Sequence, residues 1–320
     1  MRGTRSIRAG LLAGILLMAG MSGALWAQTT TGSIQGTVAD ATGAALPGAT
    51  VTVRNIGTNA VRTTVTNASG NYDMSLLPPG QYSVTAELQG FQKLEKTGIT
   101  LQVNQNARID FALKLSSVQE AVQVTAEAPL VDTTDTTTKQ VVDNKKIVGL
   151  PLNGRNFVDL GLTVPGVQAI SQSSNVASRG GGMNIVGASE TTNNYLLDGF
   201  DNNDPTTGEI QTFPSVDAVQ EFTVLGGSYP AEVGFASGGV VSLVTKSGTS
   251  KFHGDGFEFL RNSKFDAKNF FATSNPPLNR NQYGGTLGGP APFAHTFFFV
   301  SYEGTRDREG TTTTSAVPTA

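Results

Sequence analysis

The sequence contains no cysteine, only two histidines (His253 and His295) and few charged residues. The absence of cysteine excludes a disulfide framework, thiolate metal sites and a cysteine nucleophile. Two histidines are too few for a histidine-rich metal centre. Charged residues make up 15% of the chain, against roughly 25% in ordinary soluble domains, and the net charge is −3. A nucleic-acid partner is therefore not expected, because no basic surface is available to bind it.

The common catalytic motifs are also missing. Gly180-Gly181-Gly182 lacks both the glycine spacing of a dinucleotide-binding loop and the Gly-Lys-Ser/Thr ending of a phosphate-binding loop. No Gly-x-Ser-x-Gly elbow occurs, and neither histidine has neighbours that suggest an activated nucleophile. We therefore predict no catalytic residues, no cofactor and no metal site, and hence a protein that is not an enzyme.

Glycine is abundant instead, with 38 of 320 residues, well above the usual share of about 7%. Together with frequent Thr, Val and Asn, it predicts a mainly β protein with many turns.

The first 27 residues have the pattern of a cleaved signal peptide. Three arginines precede the apolar run 11–18, and small residues follow, so that cleavage is expected after Ala24 or Ala27. The alternative is a transmembrane anchor. Its apolar stretch is near spanning length but is diluted by four glycines, which favours the signal peptide.

Residues 28–116 are predicted to form an antiparallel β-sandwich, because apolar and polar residues alternate between turn signals. A turn at 68–71 is expected to close a hairpin, and Pro78-Pro79-Gly80 to precede an alternating strand that buries Tyr82. The seven expected strands lie near 33–39, 48–55, 60–67, 71–77, 80–89, 98–104 and 106–115.

From about 117 to 246 the pattern is that of a small α/β domain with long loops. Asp143 is expected to cap a helix that ends before Pro151, and a second short helix is expected within 156–162. Extended segments are predicted at 194–197, 219–225 and 240–245.

The last 70 residues are rich in phenylalanine, with ten of the 17 in the chain. Three segments of strand length, 252–261, 281–289 and 296–305, are separated by Asn, Pro and Gly. Aromatic residues near strand ends are typical of outer-membrane strands, whereas three ordinary sandwich strands are the alternative interpretation.

One dense polar cluster contains Asp198, Asp201, Asn202, Asn203 and Asp204. Its spacing does not match a calcium-binding EF-hand loop. A solvated turn is the simpler interpretation, and a ligand or calcium contact is the alternative.

The residues also resemble known families. Residues 32–115 resemble the carboxypeptidase regulatory-like domain, a sandwich of the carbohydrate-binding-like fold, through Gly36-Thr37-Val38, Pro47-Gly48-Ala49, Gly70-Asn71-Tyr72, Leu77-Pro78-Pro79-Gly80 and Gly90-Phe91. The following part is similar to the plug of TonB-dependent outer-membrane receptors of the Oar-like subgroup. The matching motifs are Leu150–Arg155, Pro165-Gly166-Val167, Arg179-Gly180-Gly181, Asn194–Gly199, Pro214–Phe222, Gly238–Val241 and Thr245–Gly248. Asn279–Gly285 and Phe297–Gly304 resemble the first barrel strands.

The resemblance implies a mainly β fold: an N-terminal seven-stranded β-sandwich (28–116), a linker (117–131), a small α/β plug domain (132–246) and the first strands of an incomplete transmembrane β-barrel (247–320). It also implies export to the cell outer membrane, with periplasmic N-terminal domains and barrel strands in contact with outer-membrane lipid. The implied function is plug-gated uptake of an unknown ligand, for which carbohydrate and peptide are the candidate classes.

The implied protein partner is a TonB-type periplasmic energy-coupling protein, which would pull on a short strand-like segment. The candidate segment is Glu120, Ala121, Val122, Gln123, Val124, Thr125 and Ala126. It alternates Val with polar residues and precedes Pro129, as strand addition requires. A plain interdomain linker is the alternative. Candidate ligand-facing plug residues are Arg179, Gly180, Gly181, Gly182 and Met183, together with the Asp198–Asp204 cluster.

Members of this family continue into a barrel of about 22 strands, whereas this chain ends about three strands in. Since the smallest single-chain barrels have ~8 strands, we expect a fragment or an incomplete gene product that does not transport by itself. A secreted carbohydrate- or protein-binding sandwich with a degenerate receptor tail is the alternative function.

Overall fold

The computed structural model describes residues 30–115, 121–125, 138–150, 152–170, 182–227, 229, 234, 236–268, 275–293 and 296–310. The predicted signal peptide lies outside the described residues. Among those described, no helix has the length and apolar character needed to span a membrane.

The N-terminal part is a β-sandwich of two sheets. One sheet has the order β4-β1-β7, with β8 also paired to β1, and the other has the order β3-β2-β5-β6-β9. The strands are β1 (Gly32–Asp40), β2 (Thr50–Asn55), β3 (Val61–Val65), β4 (Asn71–Leu77), β5 (Gly80–Glu87), β6 (Lys93–Leu101), β7 (Asn106–Arg108), β8 (Phe111–Leu113) and β9 (Ala121–Thr125).

The sandwich core confirms the alternation read from the sequence. The inward positions of β1, β2 and β5 are almost fully buried, among them Tyr82, whose hydroxyl donates a hydrogen bond to the carbonyl oxygen of Pro78 at 2.6 Å. Gly36 lies where β1 passes close to the β7–β8 connection of its own sheet, because a Cβ there would stand 2.1 Å from the carbonyl oxygen of Ile109. The core residues come from β1, β4, β7 and β8 of one sheet and from β2, β5 and β6 of the other. The core is therefore formed by both sheets together.

Three details of the predicted sandwich are wrong. The turn at 68–71 does not close a hairpin, because β3 pairs with β2 whereas β4 pairs with β1 in the other sheet. The strand expected at 106–115 is split into β7 and β8, which pair with β1 in parallel. The count of seven strands is also exceeded, because β9 adds to β6 in parallel. Parallel pairing between distant segments leaves no local turn signal in a sequence.

The second part is built on a mixed sheet of order β10-β15-β16-β13-β14, with a separate hairpin of β11 and β12. Its strands are β10 (Thr138–Asp143), β11 (Val167–Ala169), β12 (Met183–Ile185), β13 (Asn194–Leu197), β14 (Phe200–Asp201), β15 (Val219–Gly226) and β16 (Val240–Thr245). Helix α1 (Asn144–Gly149) begins at Asp143, whose carboxylate accepts a hydrogen bond from the backbone N–H of Lys146 at 2.9 Å. Helix α2 is Val158–Gly161. Both helices and the three predicted strands are confirmed.

The third part is an antiparallel sheet of three long strands. They are β17 (His253–Asn262), β18 (Leu278–Pro290) and β19 (Phe297–Glu309). Their pairing is continuous over ten and thirteen residue pairs, and no closed barrel is formed by the described residues. We call β17–β19 the wall sheet. The fold class, mainly β with a sandwich, a plug and partial barrel strands, is confirmed.

Candidate functional site: the contact between the plug and the wall sheet

A buried arginine joins the plug to the wall sheet. Arg155 ends a 3-10 turn, Asn153–Arg155, that follows α1, and its guanidinium forms an ion pair with the carboxylate of Asp217. The two side chains are only 10% and 6% exposed. The turn itself needs Gly154, whose φ of 74° is a backbone conformation that L residues rarely adopt.

The wall sheet supplies a second carboxylate and two aromatic rings to the same guanidinium. Glu303 of β19 lies 3.9 Å from Nε of Arg155 and also accepts a hydrogen bond from the hydroxyl of Ser215 at 2.7 Å. The guanidinium carbon of Arg155 lies 4.5 Å from the ring centroid of Phe257 and 4.4 Å from that of Phe259. Arginine stacks on aromatic faces through cation–π attraction.

Backbone contacts complete this plug–wall seam, which comprises Arg155, Asp217, Ser215, Phe257, Phe259, Gln282 and Glu303. The side-chain amide of Gln282 in β18 donates a hydrogen bond to the carbonyl oxygen of Gly154 at 3.1 Å. Burial raises the pKa of Asp217, against the opposing effect of the Arg155 charge. The seam can therefore hold the plug against the wall, at the cost of desolvating its charges.

The wall sheet turns an apolar face away from the plug. Side chains alternate across a strand, so residues next to the seam positions point to the opposite side. Large apolar side chains on that side are 46–63% exposed. They are Leu260, Tyr283, Leu287, Val300 and Tyr302. Apolar residues on the outward face are typical of lipid-facing strands.

A polar cavity of about 470 Å³ lies at the end of the wall sheet, where β17 ends and β18 begins. Three of its four charged lining residues form ion pairs, Arg261 with Asp266 at 3.2 Å and Arg280 with Asp307 at 2.5 Å, and Glu309 is the fourth. Its lining contains no described residue of the two predicted plug loops.

The first predicted ligand-facing loop is described only in part. Arg179, Gly180 and Gly181 lie outside the described residues. Met183 is fully buried in the plug core at the start of β12, so its side chain is unavailable to a ligand. Gly182 immediately precedes that strand.

The second predicted group, Asp198–Asp204, forms a hydrogen-bonded turn around β13 and β14. Asp198 accepts hydrogen bonds from the backbone N–H and the hydroxyl of Thr245, both at 2.8 Å. Asn202 bonds to the backbone of Thr212, Asn203 to the side chain of Asn194 and Asp204 to the backbone N–H groups of Thr206 and Thr207. These bonds support a structural turn, and a ligand contact there stays a prediction.

The predicted partner segment is extended, as strand addition requires, but it is not a free linker. Residues 121–125 form β9, which pairs with Lys93–Thr97 of β6 in the sandwich. The predicted linker, 117–131, therefore contains a strand that pairs with the sandwich sheet. Its role toward a partner stays a prediction.

Sequence reasoning did not single out Arg155, Asp217 or Glu303. Each lies within a motif that carries the family resemblance, but nothing in the local pattern shows that these three residues meet. Carbohydrate binding by the sandwich would call for exposed aromatic rings, but Tyr72 and Tyr82 are only 4% and 2% exposed. They belong to the sandwich core, so neither ring can stack on a carbohydrate.

Comparison with known proteins agrees with this architecture. The family model of the carboxypeptidase regulatory-like domain matches residues 33–114, that of the TonB-dependent receptor plug domain matches 131–240, and that of the outer membrane beta barrel domain matches 244–320. The TonB-dependent transporter Oar of Myxococcus xanthus is 31% identical over 309 residues, covering 90% of this chain. The chain spans 28% of that relative's length.

Solved structures show partial similarity. The siderophore receptor PirA from Acinetobacter baumannii is 25% identical, with a TM-score of 0.39 over 53% of this chain and 24% of its own. The outer membrane transporter YddB from Escherichia coli is 23% identical, with a TM-score of 0.41 over 53% of this chain and 26% of its own. Since both TM-scores are low, the assignment rests on the sequence comparisons. Those comparisons, which cover the sandwich, the plug and the wall sheet in order, support an Oar-like TonB-dependent receptor of the outer membrane.

Proposed function

We propose that the chain forms the periplasmic arm, the plug and the first barrel strands of a transporter that takes up a ligand under the control of a TonB-type protein. In this proposal the plug closes the barrel at rest, and the role is binding and gating rather than catalysis. Carbohydrate and peptide remain the candidate ligand classes. We also propose that residues 1–27 are removed on export.

The observation that carries the proposal is the plug–wall seam. A gate needs contacts that hold it to the wall and that can be broken without unfolding either part. The seam fits this need because the contacts that cross it are one ion pair, two cation–π contacts and two hydrogen bonds between preformed surfaces. The hydrophobic core of the plug is formed separately, within its own sheet and helices.

The proposed partner contact is strand addition at β9. Within the described chain, β9 is an outermost strand of the sandwich sheet and pairs only with β6. An outermost strand presents unpaired N–H and C=O groups, which can accept another strand. A TonB-type protein would then bind mainly through the backbone of residues 120–126.

The experiment measures binding of a purified TonB-type periplasmic domain to the full chain in detergent micelles. The variants are Gln123→Pro, which removes a backbone donor, and Gln123→Ala, which keeps it. We expect the alanine variant to bind within about threefold of wild type and the proline variant to lose at least about tenfold, the equivalent of one or more net hydrogen bonds.

A melting curve of each variant provides the control for folding. Equal binding by Gln123→Pro and Gln123→Ala would remove the segment from the mechanism. Because β9 belongs to the sandwich sheet, the proline variant is also expected to melt at a lower temperature. Binding is therefore compared well below either melting transition.

A further inference from the structure

A tight turn of the sandwich reaches the plug. Residues 102–105 follow β6, and the side chain of Gln105 closes this turn by accepting a hydrogen bond from the backbone N–H of Gln102 at 2.8 Å. The carbonyl oxygen of Gln105 accepts a bond from the N–H of Ser33 in β1, also at 2.8 Å. The turn is therefore fixed to both sheets of the sandwich.

The other side of the turn is bonded to the plug. The backbone N–H of Val103 donates to both carboxylate oxygens of Glu221 in β15, at 3.0 and 3.2 Å. The ammonium group of Lys139 in β10 donates to the carbonyl oxygen of Asn104 at 2.8 Å. Val103 and Glu221 are 1% and 6% exposed, so these contacts exclude water.

Glu221 lies on the face of β15 that points away from the plug core. Phe222 and Val224 of β15 point into the plug core, whereas Glu221 and Thr223 alternate onto the opposite face. The hydroxyl of Thr223 donates to Glu221 at 3.1 Å. A buried carboxylate is unfavourable unless it is hydrogen-bonded, and the docked turn supplies its backbone donor.

The same turn is connected to the predicted partner segment. The strand β6 ends at Leu101, immediately before the turn, and carries β9 along residues 93–97. A disturbance of β9 therefore reaches the turn along one continuous strand. The sandwich has a second contact with the chain that follows β16, where Ser250 donates hydrogen bonds to the carbonyl oxygen of Gly57. Gly57 follows β2, which lies three strands away from β9 in the sheet.

We propose that the 102–105 turn, Lys139 and Glu221 form a joint that couples strand pairing at β9 to the plug sheet. In this arrangement a partner that pairs with β9 affects the plug sheet in two ways. One is through β6 and the joint, and the other is through the chain that follows β9. The importance of β9 rests on the proposed function, whereas the joint itself does not.

The test is amide hydrogen exchange on the full chain in detergent micelles, without any partner protein. The variant Glu221→Ala removes the acceptor, and Glu221→Gln is the matched control because its amide oxygen can still accept from Val103. We expect exchange at Val103 to rise by about ten- to a hundredfold in the alanine variant and by less than about threefold in the glutamine variant.

Coupling is tested in both directions, because thermodynamic coupling is reciprocal. Glu221→Ala should raise exchange in residues 121–125 by at least about threefold, and Gln123→Pro should raise exchange at Val103 where Gln123→Ala does not. Unchanged exchange in either direction would overturn the proposal.

Exchange in β16, in the plug core, serves as the control for unfolding. If Glu221→Ala unfolds the plug, Lys139→Met provides the second variant. It removes the hydrogen bond to Asn104 and leaves the Glu221 side chain in place. It should give a smaller increase in the same residues, and no increase would refute the joint. Failure of partner binding with coupling intact would count against the proposed function alone.

Discussion

Replacement of Arg155 by alanine tests the buried arginine that the plug contributes to the plug–wall seam. The variant removes the positive charge from between Asp217 and Glu303 and removes the cation–π contacts with Phe257 and Phe259. It leaves Asp217, 6% exposed, without its ion-pair partner. Glu303 keeps its hydrogen bond from Ser215, so Asp217 is the residue left unfavourably buried.

The magnitude follows from burial. Breaking a buried ion pair by removing one partner is destabilising by about 3–5 kcal/mol, and each cation–π contact accounts for about 0.5–1 kcal/mol of that loss. Asp217 can relieve part of the penalty by taking up a proton, because burial already raises its pKa. We therefore expect the free energy of unfolding of the plug to fall by about 3 kcal/mol near neutral pH, at the lower end of this range.

The assay is urea unfolding of the full chain in detergent micelles, read by pulsed hydrogen exchange so that the plug and the sandwich are followed separately. The matched control is Arg108→Ala, which breaks an ion pair with Asp110 whose side chains are 48% and 49% exposed. That loss should be below about 1 kcal/mol. If the urea midpoint of the plug shifts no more for Arg155→Ala than the sandwich midpoint shifts for Arg108→Ala, the reasoning is refuted.

Three further predictions concern the plug and the sandwich. Burial raises the pKa of Glu221, so the folded plug retains this proton to higher pH than the unfolded chain does. Its free energy of unfolding should therefore fall as pH rises above the usual glutamate value of 4.5, and a urea series across pH should show this slope reduced in Glu221→Gln. Gly36→Ala should destabilise the sandwich by about 1–3 kcal/mol, because a Cβ would stand 2.1 Å from the carbonyl oxygen of Ile109; an unchanged melting temperature would contradict this close approach. Asp198→Ala should destabilise the plug by about 1–3 kcal/mol through loss of both hydrogen bonds from Thr245, measured by the same unfolding assay, and Asp201→Ala, at an exposed position, should change it by less than about 0.5 kcal/mol.

The sequence by itself determined the local elements of this protein. Alternation of apolar and polar residues predicted the sandwich strands that bury Tyr82, and Asp143 marked the start of α1 because N-capping depends on residues only three apart. The extended segments of the plug were also predicted, and the three wall strands were predicted from segments of strand length separated by Asn, Pro and Gly. The absence of cysteine likewise excluded a disulfide framework and thiolate metal sites.

Only the tertiary structure decided which distant segments meet. Parallel pairing of β9 with β6 and of β7 and β8 with β1 requires no turn signal between the partners. Arg155, Asp217 and Glu303 come from three separate elements, and each charge is ordinary in its own sequence context. What sets these charges apart is burial. A lone buried charge is unfavourable, so the folded state is stable only when its partners lie beside it. The joint between Val103 and Glu221, separated by 118 residues, follows the same rule: the chain encodes the groups, and folding alone brings the donor to the acceptor.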